Sequence, residues 1–221
     1  TEERRVGKAC RSRWSPSPST EDWSGAPALG VSVDDLDPLQ IERARQILRS
    51  KNPSSGLIEL DTLSFLEGLE ALRGGKVTHT GMLLFARREV LSRHCPQAQF
   101  HYVFHDNETT VARNDLERLP LLEAVERIEL IFSGPMNPEK EIEIGLFKLR
   151  IPQFPIEGVR EAVLNALTHR DYQHPGEVLV RHSSGELVVT SPGGFVDGIT
   201  PENILRHEAV PRNRTLANAL V

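Results

Sequence analysis

The sequence predicts an α+β fold in which helices pack on a mostly antiparallel sheet. Apolar residues recur at helical spacing over 156–168, which indicates one strong amphipathic helix. Residues 176–182 and 186–190 have the pattern of two strands, and the Ser183-Ser184-Gly185 segment between them is typical of a tight hairpin turn. Helices that alternate with adjacent hairpins favour a layer of helices on one face of a sheet.

Two further helices are predicted in the first half of the chain. The first begins at Asp37-Pro38, because aspartate caps a helix and proline fits its first turn, and it ends in the polar segment 52–56. The second begins at Asp61 or Thr62 and carries a stripe of leucines that extends to Leu72. The pair Gly74-Gly75 should end it.

Four segments complete the predicted secondary structure before the amphipathic helix. The very apolar residues 77–86 form a short helix or a strand, and the alternating aromatic residues of 97–104 indicate a strand. Residues 115–132 are predicted to be one long helix with a proline near its start. The alternation over 141–151 predicts one edge or half-buried strand.

Composition limits the classes of function. A formal charge of -5 over 221 residues argues against a chain that coats nucleic acid over its whole surface. Five basic residues do cluster near the start of the chain, as either a solvated tail or a local basic patch: Arg4, Arg5, Lys8, Arg11 and Arg13.

The cysteines and the lack of long apolar segments predict the cellular compartment. Cys10 and Cys95 have no metal-ligand spacing, so a reducing, cytoplasmic compartment is the simpler interpretation. No apolar run approaches the roughly 20 residues that span a bilayer, and no signal peptide is visible in the sequence. Because the chain opens on Thr1 rather than methionine, we expect it to be a piece of a longer protein.

Glu161 and Asn165 are the first candidate site residues. They are four residues apart, so they share one face of the predicted helix, and His169 continues that line. A carboxylate beside an amide can position a water molecule and provide part of the shell of Mg²⁺. A polar stripe that only faces solvent fits the same spacing.

The second candidate is the glycine-rich turn Ser191-Pro192-Gly193-Gly194. Adjacent glycines after a strand allow a flat ligand or another backbone to approach closely. The following Thr200-Pro201 pair predicts a capped short helix, and a glycine-rich turn before a helix N-terminus can bind an anion. A simple tight turn is the other interpretation.

Together these segments resemble a known family. The motifs are REAVLNALTHRDY at 160–172, VVTSPGGFVDGITPENIL at 188–205 and PRN at 211–213, preceded by VSVDDLDP, GKVTHTGMLLFA and FHYVFHD. They are similar to bacterial RecG-related or Schlafen-AlbA-type transcription regulators, whose C-terminal part is a divergent GHKL ATPase-like domain. The resemblance extends from about Val31 to Val221.

The resemblance implies a site for ATP and Mg²⁺. Glu161 would be the general base that activates water, and Asn165 would bind Mg²⁺. The remaining nucleotide-binding residues implied are His169, Arg170, Asp171, Ser191, Gly193, Gly194 and Arg212. The family's usual adenine-binding aspartate is replaced by Ser191, and a phosphate-binding glycine motif is expected beyond Val221.

The resemblance implies a division of the chain into three segments, and it implies binding partners for the longer protein. Residues 1–30 would be a flexible basic tail of an AlbA-like domain, 31–95 a helical linker subdomain, and 96–221 the GHKL-like ATP-binding domain. DNA would be bound mostly by domains outside this chain, and we expect a homo-oligomer without a membrane partner. The whole would be an ATP sensor of a transcription regulator.

The expected enzymatic activity is at most a weak ATPase. A helicase is excluded, because the chain has no GxxxxGK[ST] phosphate loop. An alternative is a domain that has kept the GHKL-like fold without the ligand and serves as a scaffold for dimerisation or protein interaction.

Overall fold

A computed structural model describes residues 22–106, 110–194, 196, 198–200, 202–203, 206 and 210–220. Seven α-helices are found in these ranges: α1 (Pro38–Lys51), α2 (Thr62–Gly68), α3 (His79–Phe85), α4 (Arg88–His94), α5 (Leu121–Phe132), α6 (Ile156–His169) and α7 (Arg214–Leu220). Eight strands accompany them: β1 (Leu72–Arg73), β2 (Lys76–Val77), β3 (Gln99–His105), β4 (Val111–Glu117), β5 (Glu139–Ile144), β6 (Phe147–Pro152), β7 (Glu177–Ser183) and β8 (Leu187–Thr190).

The central sheet has the strand order β4-β3-β7-β8. Only β3 and β7 run parallel, and the pairs β3–β4 and β7–β8 are antiparallel. Tyr102 on β3 and His182 on β7 belong to one face of this sheet, and the ring of Phe132 from α5 packs against both. The predicted α+β class, with helices on a mostly antiparallel sheet, is therefore confirmed.

The predicted helix 115–132 is wrong in its first part. Residues up to Glu117 belong to β4, and α5 begins only at Leu121. Pro120 occupies the cap position of α5, and the residue before a proline is sterically disfavoured in helical conformation. The apolar pattern of α5 therefore could not extend backwards through Leu119.

The leucine stripe of the second helix also ends early. Helix α2 stops at Gly68, and Leu72 lies in β1, which pairs with β2. Gly74 and Gly75 both have positive φ angles, 57° and 74°, as a two-residue hairpin turn of type I′ requires. The apolar segment that follows is resolved as mostly helix, because α3 covers His79–Phe85.

The predicted single strand over 141–151 is instead the hairpin β5–β6. Gly145, with a φ of 61°, lies in its turn, and the two strands pair only with each other. The alternation predicts an edge or half-buried strand, and the described side chains of β6 are exposed. A hairpin that extends from the core satisfies its own backbone hydrogen bonds and leaves its side chains in solvent.

One hydrophobic core includes residues from both segments that the sequence analysis divided at residue 95. Buried residues such as Leu83, Ile128 and Leu216 belong to one hydrophobic cluster, so the proposed segments 31–95 and 96–221 share a single core. Part of the segment predicted as a flexible tail is packed: Ser24 and Ala28 are buried, and the ring of Trp23 stacks on His79 at 3.9 Å. The predicted helix at Thr200-Pro201 lies largely outside the described residues.

Candidate functional site

Helix α6 holds Glu161 and Asn165 on its solvent side. Its opposite side, which includes Val163 and Leu167, is buried in the core. Both candidate side chains are exposed, and Asn165 Nδ2 donates a hydrogen bond to Glu161 Oε1 at 3.0 Å. In the described part of the chain, no hydrogen bond reaches Asn165 Oδ1. The pair thus presents an amide oxygen and a carboxylate on one surface.

His169 ends α6 and is half-buried. Burial lowers its pKa, and the positive charge of Arg212 lowers it further. The imidazole is therefore neutral near pH 7, and a neutral imidazole can accept as well as donate a hydrogen bond. A polar ligand beside the end of α6 could therefore donate a hydrogen bond to His169 or accept one from it.

Arg170, which the resemblance implies as a nucleotide contact, is buried. Its side chain is 1% exposed, and its guanidinium donates to the backbone carbonyl oxygens of Gln97, Asp171 and Gly176. Its charge also lies over the ring of Tyr172, 4.7 Å from the centroid. Through these hydrogen bonds Arg170 joins the end of α6 to the residues that precede β3 and β7, while its Nε is buried with no hydrogen-bond partner among the described residues.

Asp171 connects the end of α6 to the glycine-rich turn. Its N–H donates to the carbonyl oxygen of Pro192 at 2.9 Å. Gly193 has a φ of 112°, and a Cβ there would lie 3.0 Å from Asp171 Cβ. The close backbone approach predicted for this turn therefore exists, but the approaching backbone is the protein's own. The carboxylate of Asp171 accepts hydrogen bonds from Gln173 N and from His174 when Nδ1 carries the proton.

Arg212 completes this contact from the other side. Its Nη2 donates to the carbonyl oxygen of Gly194 at 3.1 Å, and its Nη1 lies 3.7 Å from Asp171 Oδ2. Its Nε is buried and has no hydrogen-bond partner among the residues that the structure describes. Ser191, half-buried at the start of the turn, makes no side-chain hydrogen bond to the described residues.

Asn213 is buried and central to the site, and no sequence pattern indicated it. Its Nδ2 donates to the carbonyl oxygens of Thr168 and Arg170 and so satisfies the C-terminal end of α6. The motif PRN contained this residue, but nothing in its spacing predicted a partner more than 40 residues earlier. Asp22 was missed as well: its carboxylate accepts from Thr215 N and Thr215 Oγ1 at the start of α7.

The nine predicted residues therefore form two groups. Seven cluster where the end of α6 meets the turn after β8, and the Glu161–Asn165 pair lies farther back along the helix. Within the described ranges, no three residues of the histidine, cysteine, aspartate and glutamate types form a metal-binding cluster. Every described helix is too short or too polar to cross a bilayer.

Comparisons with known proteins concern the fold of this chain and say nothing about a ligand or a reaction. A family described as a domain of unknown function, DUF8451, matches residues 14–101, a range that ends before all nine site residues. The crystal structure of the DIP2311 protein from Corynebacterium diphtheriae is similar, with 27% identity and a TM-score of 0.72. The similarity covers 91% of this chain but 39% of that protein. A search of curated proteins finds no match.

Proposed function

We propose that this chain is the ATP-responsive, GHKL-like part of a transcription regulator. The observation that carries the proposal is the exposed Glu161–Asn165 pair on α6, with its amide oxygen unoccupied among the described residues. The motif resemblance assigns this pair to Mg²⁺-ATP, and the donor set fits, because Mg²⁺ prefers oxygen ligands. Bound Mg²⁺ would neutralise charge on the nucleotide phosphates.

The position of the pair is fixed by the packing of α6. The buried face of the helix sits against the sheet, so the solvent face cannot rotate without exposing Val159 and Val163. The Asn165–Glu161 hydrogen bond also orients the amide, with Nδ2 towards the carboxylate and Oδ1 available to a cation. Asn165 supplies a single ligand, so water and phosphate oxygens would complete the shell.

Glu161 is the chain's candidate for moving a proton. An exposed carboxylate can accept a proton from a water molecule that it positions, which is the role of a general base. His169 is held neutral, and Arg212 keeps part of its side chain in solvent. An arginine in this position can donate charge-assisted hydrogen bonds to phosphate oxygens.

We expect binding to be weak and hydrolysis to be slow. Ser191 stands where the family's aspartate would accept a hydrogen bond from the adenine amino group, and a neutral hydroxyl is a weaker acceptor than a carboxylate. Arg170, implied as a further contact, is already committed to backbone carbonyls. The proposed activity is therefore nucleotide sensing, with at most a weak ATPase.

The DNA-binding part of the proposal concerns the longer protein. The resemblance is to regulators that bind DNA through other domains, and the similar DIP2311 protein is longer, since this chain spans 39% of it. A net charge of -5 makes the chain itself a poor surface for phosphate backbones. A regulator of this class would act in the cytoplasm.

Calorimetric titration with Mg²⁺ and a non-hydrolysable ATP analogue tests the proposal. Wild type should bind, and Asn165→Ala should weaken binding at least about tenfold, because a magnesium ligand is lost. Asn218→Ala is the matched control, since Asn218 is an exposed helical asparagine on α7. Absence of binding by folded wild type, or equal loss in both variants, would contradict the proposal.

A ligand-free scaffold is the second candidate function. Its specific support is that the turn after β8 is already closed on the end of α6, through Asp171 N to Pro192 O and Arg212 to Gly194 O. In a scaffold, these protein groups would take the place of the nucleotide that the resemblance implies. The same titration separates the candidates, because a scaffold of this kind binds no nucleotide.

A further inference from the structure

The β5–β6 hairpin has one apolar and one charged face. Directly paired residues of antiparallel strands lie on the same face, and Ile142 pairs with Leu149 while Lys140 pairs with Ile151. Glu141 pairs with Arg150 and Glu143 with Lys148 on the opposite face, where Lys148 Nζ lies 2.9 Å from Glu141 Oε1. On the charged face, Lys148 therefore forms ion pairs with both Glu141 and Glu143.

The apolar face is open to solvent. Phe147 is 73% exposed and Leu146, in the turn, is 100% exposed, and three further apolar side chains of this face are also exposed: Ile142, Leu149 and Ile151. An isolated two-stranded hairpin is marginal in water and becomes stable when its hydrophobic face is covered. A contiguous apolar patch of this kind marks an interaction surface.

We propose that this apolar face packs against the same face of a second copy of this chain, to form a face-to-face dimer of hairpins. Charge favours a second copy as the partner. Three carboxylates, Glu139, Glu141 and Glu143, are balanced by three cations, Lys140, Lys148 and Arg150, so the hairpin has no formal net charge. The whole chain has a formal net charge of -5. Because the hairpin is neutral, two acidic copies can associate there without repulsion between the hairpins.

Pairing through the strand edges is less favourable than pairing through the faces. A symmetric contact between two β5 edges centred on Glu141 would bring glutamates together, and one between two β6 edges centred on Leu149 would place Lys148 opposite Arg150 of the other copy. Like charges placed directly opposite destabilise strand pairs. A face-to-face contact keeps the glutamates, Lys148 and Arg150 in water and places apolar side chains against each other. Lys140, which pairs with Ile151 at the base of the hairpin, lies on the apolar face and is exposed there.

The area is sufficient for a small dimer interface. The exposed fractions of the five apolar side chains amount to roughly 500 Å² on each copy, or about 1,000 Å² in the pair, the lower limit for a specific interface. We therefore expect a reversible dimer whose formation depends on protein concentration.

Light scattering and sedimentation over a range of protein concentrations test this dimer without nucleotide. Wild type should pass from monomer to dimer, and Phe147→Glu should weaken association at least about tenfold, because a charge would be buried in the contact. Leu39→Glu is the matched control: Leu39 is 75% exposed, on α1. A wild type that stays monomeric, or a folded Phe147→Glu variant that dimerises normally, would overturn the proposal.

Disulfide trapping gives a second test that leaves the apolar face nearly intact. In a Cys10→Ser background, Leu149→Cys should form an intermolecular disulfide under mild oxidation, whereas Lys148→Cys, one residue away on the charged face, should not. Native Cys95 is buried. Equal trapping at both positions, or none at either, would overturn the face-to-face arrangement. Either result leaves the nucleotide proposal unaffected, since no ligand is present.

Discussion

Gly193 lies directly against Asp171, so that a Cβ on Gly193 would be 3.0 Å from Asp171 Cβ and 3.2 Å from its backbone nitrogen. The neighbouring hydrogen bond from Asp171 N to Pro192 O fixes the same contact. The turn after β8 and the end of α6 therefore form one packed unit. A substitution at Gly193 should therefore disturb the packing of Asp171, and a substitution at Asp171 should disturb the turn.

Gly193→Ala should lower the free energy of unfolding by about 1–3 kcal/mol. Its φ of 112° is unfavourable for a residue with a side chain, and the added Cβ would press on Asp171. Gly158→Ala is the control, because Gly158 is helical and a Cβ there meets nothing within 4 Å. That variant should be more stable by about 0.5–1 kcal/mol. Urea unfolding measures both, and equal effects would contradict the contact.

Arg212→Ala should raise the pKa of His169. Burial is the larger cause of its lowered pKa and the charge of Arg212 the smaller, and the substitution relieves both. Titration of the imidazole by NMR measures the change, with Arg214→Ala as the control because Arg214 is exposed. If the His169 pKa is unchanged or falls in Arg212→Ala, the two side chains are not neighbours.

Arg170→Met should destabilise the protein by about 3 kcal/mol or more. The substitution keeps much of the apolar stem but removes the charge-assisted hydrogen bonds to the carbonyl oxygens of Gln97, Asp171 and Gly176, together with the cation–π contact to Tyr172. Arg181→Met is the control, since Arg181 is exposed on β7. Thermal and urea unfolding measure the loss. If Arg170→Met and Arg181→Met lowered the free energy of unfolding by the same small amount, the structural role of Arg170 would be contradicted.

Stability should fall as pH falls below about 6.5. Burial lowers the pKa values of His79, His169 and His182, so the unfolded chain binds protons there that the folded protein does not. By linkage the free energy of unfolding then decreases with falling pH, by up to about 1.4 kcal/mol per pH unit for each neutral histidine. Measurements between pH 5 and 8 avoid most carboxylate titration.

His182→Phe should reduce that pH dependence. His182 Nε2 is buried with no hydrogen-bond partner in the described ranges, and rings of Phe104, Phe132 and Phe154 surround the imidazole. Phenylalanine fits this aromatic site and does not titrate. An unchanged slope of unfolding free energy against pH in the variant would mean that His182 does not stay neutral in the folded protein.

Local patterns predicted much of the fold. The Asp37 cap, the amphipathic helix α6 and the β7–β8 hairpin follow from rules that act over a few residues, and the structure confirms them. Segment 115–132 was predicted incorrectly because its charged strand residues have no apolar alternation. β4 exists through pairing with β3, which is information that a local pattern does not contain.

The site was harder to predict, because its contacts are distant in sequence. The helix spacing placed Glu161 beside Asn165 correctly, and the glycines of the turn predicted a close backbone approach. The commitment of Arg170 to distant carbonyls and the capping of α6 by Asn213 depend on how α6, β7 and α7 pack together. Charge and motif alone do not distinguish a buried arginine from a ligand-binding one.

Paramagnetic broadening by Mn²⁺ tests the central claim most directly, because it reports where the metal–nucleotide complex sits. With Mn²⁺ and a non-hydrolysable ATP analogue, the side-chain amide signal of Asn165 should broaden strongly, while those of Asn137 and Asn218 should change little. Removal of the nucleotide should restore the Asn165 signal, since one amide ligand holds the ion weakly. An unaffected Asn165 signal, or equal broadening of all three, would contradict a nucleotide site on α6.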